Sequence, residues 1–177
     1  MWVAVTLAAC YKSHRMGGPF NFQGVITVIS RRGFVISSIG LVSAPSAALA
    51  AKPQIYTSFL SSSAVGGYDP VAYFTKGKPV KGLSKYTLKW KGANWYFSSQ
   101  ENLDKFKADM EAYAPQFGGY CAYGVSQNAA VKGDPLLWKI VDGKLYLNIN
   151  KQVVNIWNKD IPGYIAKANA NWPNVLK

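Results

Sequence analysis

After residue 50 the chain has no histidine and no arginine, one cysteine (Cys121) and one methionine (Met110). Without histidine, neither a Ser-His-Asp nor a Cys-His catalytic arrangement can be built there. A closed structural zinc site takes four nitrogen or sulfur ligands, and one thiolate cannot supply them. A single cysteine excludes an intramolecular disulfide. With no arginine, bidentate reading of bases or phosphates is lost, so no nucleic-acid partner is expected. Acids are scarce too. All eight lie after residue 50, at Asp69, Glu101, Asp104, Asp109, Glu111, Asp134, Asp142 and Asp160. Sixteen lysines stand against them, a net charge of +8 spread along the chain without blocks. No Walker-type or dinucleotide-type glycine loop is present, and no internal repeat or low-complexity tract is evident.

The first fifty residues differ in kind. They hold Lys12, Arg15, Arg31 and Arg32 and no acid. Ser30-Arg31-Arg32-Gly33-Phe34-Val35-Ile36 is a twin-arginine signature. An apolar run to Val42 follows, then Pro45, then the small-x-small site Ala48-Leu49-Ala50. Charged, apolar and small, in that order, is the layout of an export signal. The apolar run is too short to span a bilayer comfortably. The expectation is export, to a periplasm or equivalent compartment, with cleavage near Ala50 and no stable transmembrane segment afterwards. The stretch 1–29, with Cys10 and His14, is long for the charged region of such a signal. Met16 is an alternative start to Met1.

The remainder divides into a Ser-rich leader, 51–62, and a domain, 63–177. Gly66-Gly67 marks a turn, and Val71, Tyr73 and Phe74 suggest a short strand or packed turn. Tyr86, Leu88 and Trp90 alternate with Thr87, Lys89 and Lys91, and Trp95-Tyr96-Phe97 returns after Gly92-Ala93-Asn94. This is a hairpin with one buried face. Ser98 to Glu101 reads as a capping box. Leu103, Phe106 and Met110 then predict a helix over 99–112, stopped by Pro115. Trp138–Val141 and Lys144–Ile149 flank Asp142-Gly143, a second hairpin, with Leu145, Leu147 and Ile149 on one face. Asn150 is placed to cap a helix carrying Val153, Val154 and Trp157. Pro162 opens a last helix over 163–170. The fold class that follows is a small single α+β domain, two antiparallel β-hairpins packed against two or three helices.

Three blocks resemble the YHS-domain family. Asp69-Pro70-Val71 is similar to its opening Asp-Pro-Val-Cys. Tyr96-Phe97-Ser98-Ser99, with Asn102 and Phe106, is similar to Tyr-Phe-Cys-Ser-x-x-Cys-x-x-x-Phe. Asp109-Met110-Glu111-Ala112-Tyr113 is similar to Asp-Pro-Glu-x-Tyr. The stretch from Tyr113 to Asp160 resembles the extended, exported branch of that family. The resemblance implies a non-catalytic module handling a metal or small ligand. Where metal-associated members carry cysteine, this chain has Ala72, Ser98 and Asn102, which speaks against a thiolate centre at those positions. Two alternatives to that module stand, an exported enzyme using a bound cofactor and a basic adaptor for anionic lipid or polymer.

The candidate ligand-binding residues are Asp69, Tyr68, Tyr120 and Tyr123, and the candidate metal ligand is Cys121, for copper or haem iron. Asp69 sits among Tyr68, Tyr73 and Gly66-Gly67, although Asp before Pro is also a turn device. Cys121 follows Gly118-Gly119-Tyr120, where close backbone approach is allowed. Tyr120, Tyr123 and Asp69 are its expected neighbours. Against ligation stands simple packing, the commonest fate of a free cysteine, and a reactive or pairing thiol is a third reading.

Overall fold

The computed structural model describes residues 51–58 and 60–177, so the expected export signal, its expected cleavage site and both candidate starts lie outside the described residues. Two antiparallel hairpins form separate two-stranded sheets. Strand β1 (Leu83–Trp90) pairs with β2 (Ala93–Phe97), and β3 (Asp134–Val141) pairs with β4 (Lys144–Asn148). Among the described residues six α-helices accompany them: α1 (Ala72–Thr75), α2 (Gln100–Ala108), α3 (Met110–Tyr113), α4 (Ala122–Ser126), α5 (Lys151–Trp157) and α6 (Ile161–Asn171). This is the expected α+β class. None of the described helices is long and apolar enough to cross a membrane.

Local chemistry explains where the elements depart from expectation. Of the strand or packed turn expected at Val71–Phe74 the strand is absent: Val71 lies in the turn that opens α1 and Ala72, Tyr73 and Phe74 belong to that helix, because the Asp69 side chain takes the N–H groups of Val71 and Ala72 and winds the chain after Pro70. The expected helix 99–112 is two helices. Asp109 breaks it at φ −152°, ψ 88°, and its carboxylate accepts the Ala112 N–H, capping α3. An aspartate satisfies a helix start better than a helix interior. The cap of α2 is Ser99, whose hydroxyl accepts from Asn102 N, and not Ser98. Asn150 caps α5 as expected, through Val153 N, and Asp160 caps α6 through Gly163 N. In β4 both faces are buried: Leu145 and Leu147 join one core cluster and Tyr146 the other.

The described chain is an internal repeat, which the sequence had not suggested. Each half runs 3-10 turn, short helix, hairpin, helix, helix. The hairpins share one register at a constant spacing of 51 residues, Leu83 to Asp134, Trp90 to Val141 and Phe97 to Asn148, including the same irregularity near the open end. Lys91-Gly92 and Asp142-Gly143 turn with positive φ at both residues, the type I′ geometry that suits hairpins. The opening turns match as well. Val65-Gly66 and Phe117-Gly118 hold left-handed angles, and Tyr68 N and Tyr120 N donate to Val65 O and Phe117 O. The bridges Tyr68–Lys81 and Tyr120–Lys132 are equivalent. The repeat escapes a reading by residue type because few identities survive, chiefly Gly-Gly-Tyr, Val-Lys-Gly and the tyrosines at 113 and 164. A turn constrains φ and ψ more than side chains.

The cores interlock. One cluster is built on Tyr73, Trp95, Phe97 and Phe106 of the first half but includes Leu145 and Leu147 of the second. The other is built on Phe117, Tyr120, Tyr146 and Trp157. Tyr73 crosses between halves, its hydroxyl donating to Pro135 O at 3.0 Å and its ring meeting Trp138 edge-on at 5.2 Å. The segment expected as a leader lies against the domain. Ile55 is buried, Lys52 N donates to Leu176 O at 2.7 Å, and Tyr56 N donates to Gly118 O at 2.8 Å. Gly118 has φ +60°, and a Cβ there would overlap the Gln54 carbonyl, so this approach needs glycine.

Candidate functional site

Asp69 is fully buried. Its placement follows from the left-handed turn before it, which aims the chain inward, and from Asp69 N donating to Val80 O at 2.9 Å. Its carboxylate accepts five hydrogen bonds. Oδ1 takes Val71 N at 2.9 Å and Ala72 N at 3.3 Å. Oδ2 takes Ser98 N at 2.8 Å, Ser98 Oγ at 2.7 Å and Asn102 Nδ2 at 2.7 Å. Asn102 Nδ2 also reaches Ser98 Oγ at 3.3 Å. Asp69 therefore ties the start of α1 to the end of β2 and the first turn of α2. A carboxylate offers about four lone-pair sites, and this one is filled. The sequence reading singled out Asp69 but missed Ser98 and Asn102 as its partners. The signal was there: Ala72, Ser98 and Asn102 are the three positions where cysteine is replaced.

The family model for the YHS domain matches residues 71–117. The chain carries a YHS domain. No curated protein and no solved structure matches the chain. The matched residues run from the start of α1 through the rest of the first half into the opening turn of the second, so nearly all of the second half repeats the architecture outside the match.

A YHS domain is generally associated with metal binding. The residues here do not fit a thiolate metal centre. Ala72 contributes only its backbone, and the side-chain donors of Ser98 and Asn102 point at Asp69. Among the described residues no group of three or more His, Cys, Asp or Glu could hold a metal ion.

Tyr68, just ahead of the matched residues, is half-buried, with the Lys81 ammonium 3.9 Å from its ring centroid. Beneath it, Tyr73 has its phenol pKa pushed up, first by burial and then by the negative potential of Tyr68, Asp134 and Asp69. Tyr120 belongs to the second half. Its hydroxyl donates to Pro53 O at 2.9 Å, its ring meets Tyr56 edge-on at 5.4 Å, and burial raises its pKa. Tyr123 is half-buried against Tyr164.

Cys121 is the counterpart of Asp69, not a second ligand beside it. Each follows Gly-Gly-Tyr, and each backbone N–H reaches the carbonyl of the valine in Val-Lys-Gly, Val80 or Val131. Where Ala72 N donates to Asp69 Oδ1, Gly124 N donates to Cys121 Sγ at 3.4 Å. The thiol in turn donates to Asn148 Oδ1 at 3.6 Å, and that oxygen also accepts Tyr123 N at 3.3 Å. The hydrogen bonds of Asp69 and Cys121 share no partner. Cys121 is fully buried, and burial raises its pKa against the lowering pull of the Gly124, Ile149 and Tyr123 backbone groups. This environment favours the neutral thiol, whereas a metal ligand or nucleophile needs the thiolate.

A raised folded pKa fixes the sign of the pH effect. The contribution of Cys121 to stability is complete below the ordinary thiol pKa of about 8.5 and is lost as pH rises through the folded value. At pH 7.5 the native thiol is expected to resist a soluble alkylating reagent and to react at once in denaturant, which timed mass spectrometry reads. Stoichiometric labelling of the native protein within minutes would show an accessible, ionised thiol instead.

Proposed function

We propose that this chain is an exported, non-catalytic binding module for a small ligand, in which the YHS metal position has become a structural clamp. The observation that carries this reading is the saturated Asp69 carboxylate. The acid and the residues at the replaced cysteine positions satisfy one another and leave no open coordination or proton-transfer group. Cys121, hydrogen-bonded at the equivalent place in the second half, supports the same reading. Export rests on the twin arginines and the Ala48–Ala50 cleavage site.

The exported protein, purified without chelator, is expected to carry no stoichiometric zinc or copper by elemental analysis and no haem absorbance. Stoichiometric metal that disappears in Cys121→Ser would overturn the clamp reading and restore Cys121 as a ligand. A second arm addresses the compartment. Replacing Arg31 and Arg32 together by lysine should leave an uncleaved precursor inside the cell. Unchanged export of that variant would end the twin-arginine assignment.

A further inference from the structure

The two halves serve as controls for each other, and they differ at one lysine. In the first half Lys81 is spent within the fold: its ammonium donates to Gly66 O at 3.0 Å and lies over the Tyr68 ring. The equivalent lysine of the second half is Lys132, paired with Tyr120 as Lys81 is with Tyr68. Its corresponding partners are taken. Gly118 O accepts Tyr56 N, and the Tyr120 ring is flanked by Tyr56 at 5.4 Å and Trp172 at 6.0 Å. The segment around Tyr56 occupies the places that correspond to the partners of Lys81.

Lys132 instead lines a cleft of about 360 Å³ where the halves meet, within the size range of small-molecule sites. Among the described residues its ammonium has neither a hydrogen bond nor an ion pair. Two positions on, the second half has Asp134 where the first has Leu83. Asp134 also lines the cleft, and only its Oδ1 is engaged, by Leu136 N at 2.8 Å. The two charges lie more than 4 Å apart, since no salt bridge joins them. The rest of the wall is mixed: Val65, Pro135, Leu147 and Ile149 supply apolar surface, beside Tyr56, Ser58 and the backbone of Gly66, Gly119 and Gly133. One unspent cation, one half-spent anion and that apolar surface complement a molecule with a carboxylate, an ammonium and an apolar body. A ligand lacking either charge would leave one of the two side chains without its partner.

We propose that this cleft binds a small zwitterion with an apolar side chain, the chemistry of a free apolar α-amino acid. The proposal rests on the small-ligand reading above and gives that ligand a class and a place. The probes are L-phenylalanine, 3-phenylpropionate, which lacks the ammonium, and phenethylamine, which lacks the carboxylate, titrated into the mature chain and followed by amide chemical shifts. L-phenylalanine is expected to shift the Gly66, Gly119 and Gly133 amides saturably and to bind more tightly than either analogue. Lys132→Gln should weaken L-phenylalanine and 3-phenylpropionate roughly tenfold or more, the worth of one charged hydrogen bond. Asp134→Asn, which keeps the oxygen that holds Leu136 N, should weaken L-phenylalanine and phenethylamine and leave 3-phenylpropionate unchanged. No shift with L-phenylalanine, or equal affinity in wild type and both variants, would overturn the proposal. Saturable shifts confined to amides away from the cleft would sink the cleft while sparing the binding-module reading. Chemical conversion of the bound probe would sink the module reading itself.

Discussion

Replacing Asp69 with alanine is expected to cost more than about 4 kcal/mol of stability, enough to unfold much of the population of a domain of ordinary stability. The substitution removes the acceptor for Val71 N, Ala72 N, Ser98 N, Ser98 Oγ and Asn102 Nδ2 at one stroke. Ala72 N keeps Asp69 O at 3.3 Å and Asn102 Nδ2 keeps Ser98 Oγ at 3.3 Å, but Val71 N, Ser98 N and Ser98 Oγ lose their acceptor, and a buried donor left without a partner costs about 1–3 kcal/mol. Asp69→Asn keeps the shape and one acceptor oxygen. Its amide then faces donors rather than acceptors, so an intermediate loss of about 2–4 kcal/mol is expected. Urea unfolding of the three proteins orders them. An alanine variant within 1 kcal/mol of wild type, on the order of a surface substitution, would mean the clamp is idle and Asp69 is kept for another purpose.

Truncation should have a still larger effect. The segment that matches the YHS domain, 71–117, and even the longer piece 51–115, is expected not to fold alone. The first-half core includes Leu145 and Leu147, with Trp138 and Ile140 packed against it, and Tyr73 donates its hydroxyl to Pro135 O. Cutting the second half away exposes those surfaces. Burying one large apolar side chain contributes about 1.5–3 kcal/mol, so losing several exceeds the whole stability of a small domain. Dispersed amide shifts from the isolated 51–115 piece would show that the halves are independent. Recovery of dispersion on adding 116–177 as a separate chain would confirm that each half completes the other.

The hairpins were legible in the sequence because alternation and turn chemistry are local. Tyr86, Leu88 and Trp90 are half-buried while Thr87 and Lys89 are exposed, as the period of two requires. The two helix caps expected from the sequence, at Ser98 and Asn150, were legible to within one residue, whereas those at Asp109, Cys121 and Asp160 were not. With two serines in a row, the choice of Ser99 over Ser98 rests on Asp69, which lies 29 residues upstream of Ser98 and claims its hydroxyl. The break at Asp109 followed the rule for aspartate but was hidden by the apolar spacing of Leu103, Phe106 and Met110, which continues through it. Of the candidate residues, Asp69 and Cys121 were picked for adjacent glycines and scarcity. What joins them is equivalence between two halves, and that is carried by backbone angles at Val65 and Phe117 that residue types do not announce. Lys132 could not be distinguished from the other fifteen lysines after residue 50 without knowing what occupies the places of its partners.

The bond from Lys52 N to Leu176 O places the first and last described residues side by side. The domain is thus nearly a closed ring. A short peptide linking Lys177 to Ala51 would span the gap, and new ends could be opened at the Lys91-Gly92 turn, whose residues are exposed and held outside their own hairpin only by the surface ion pair of Lys91 with Glu111. In such a circular permutant the boundary between the halves moves while every pairing is preserved. The order of the two halves along the chain is then not fixed by the architecture, which is indifferent to which of them is made first.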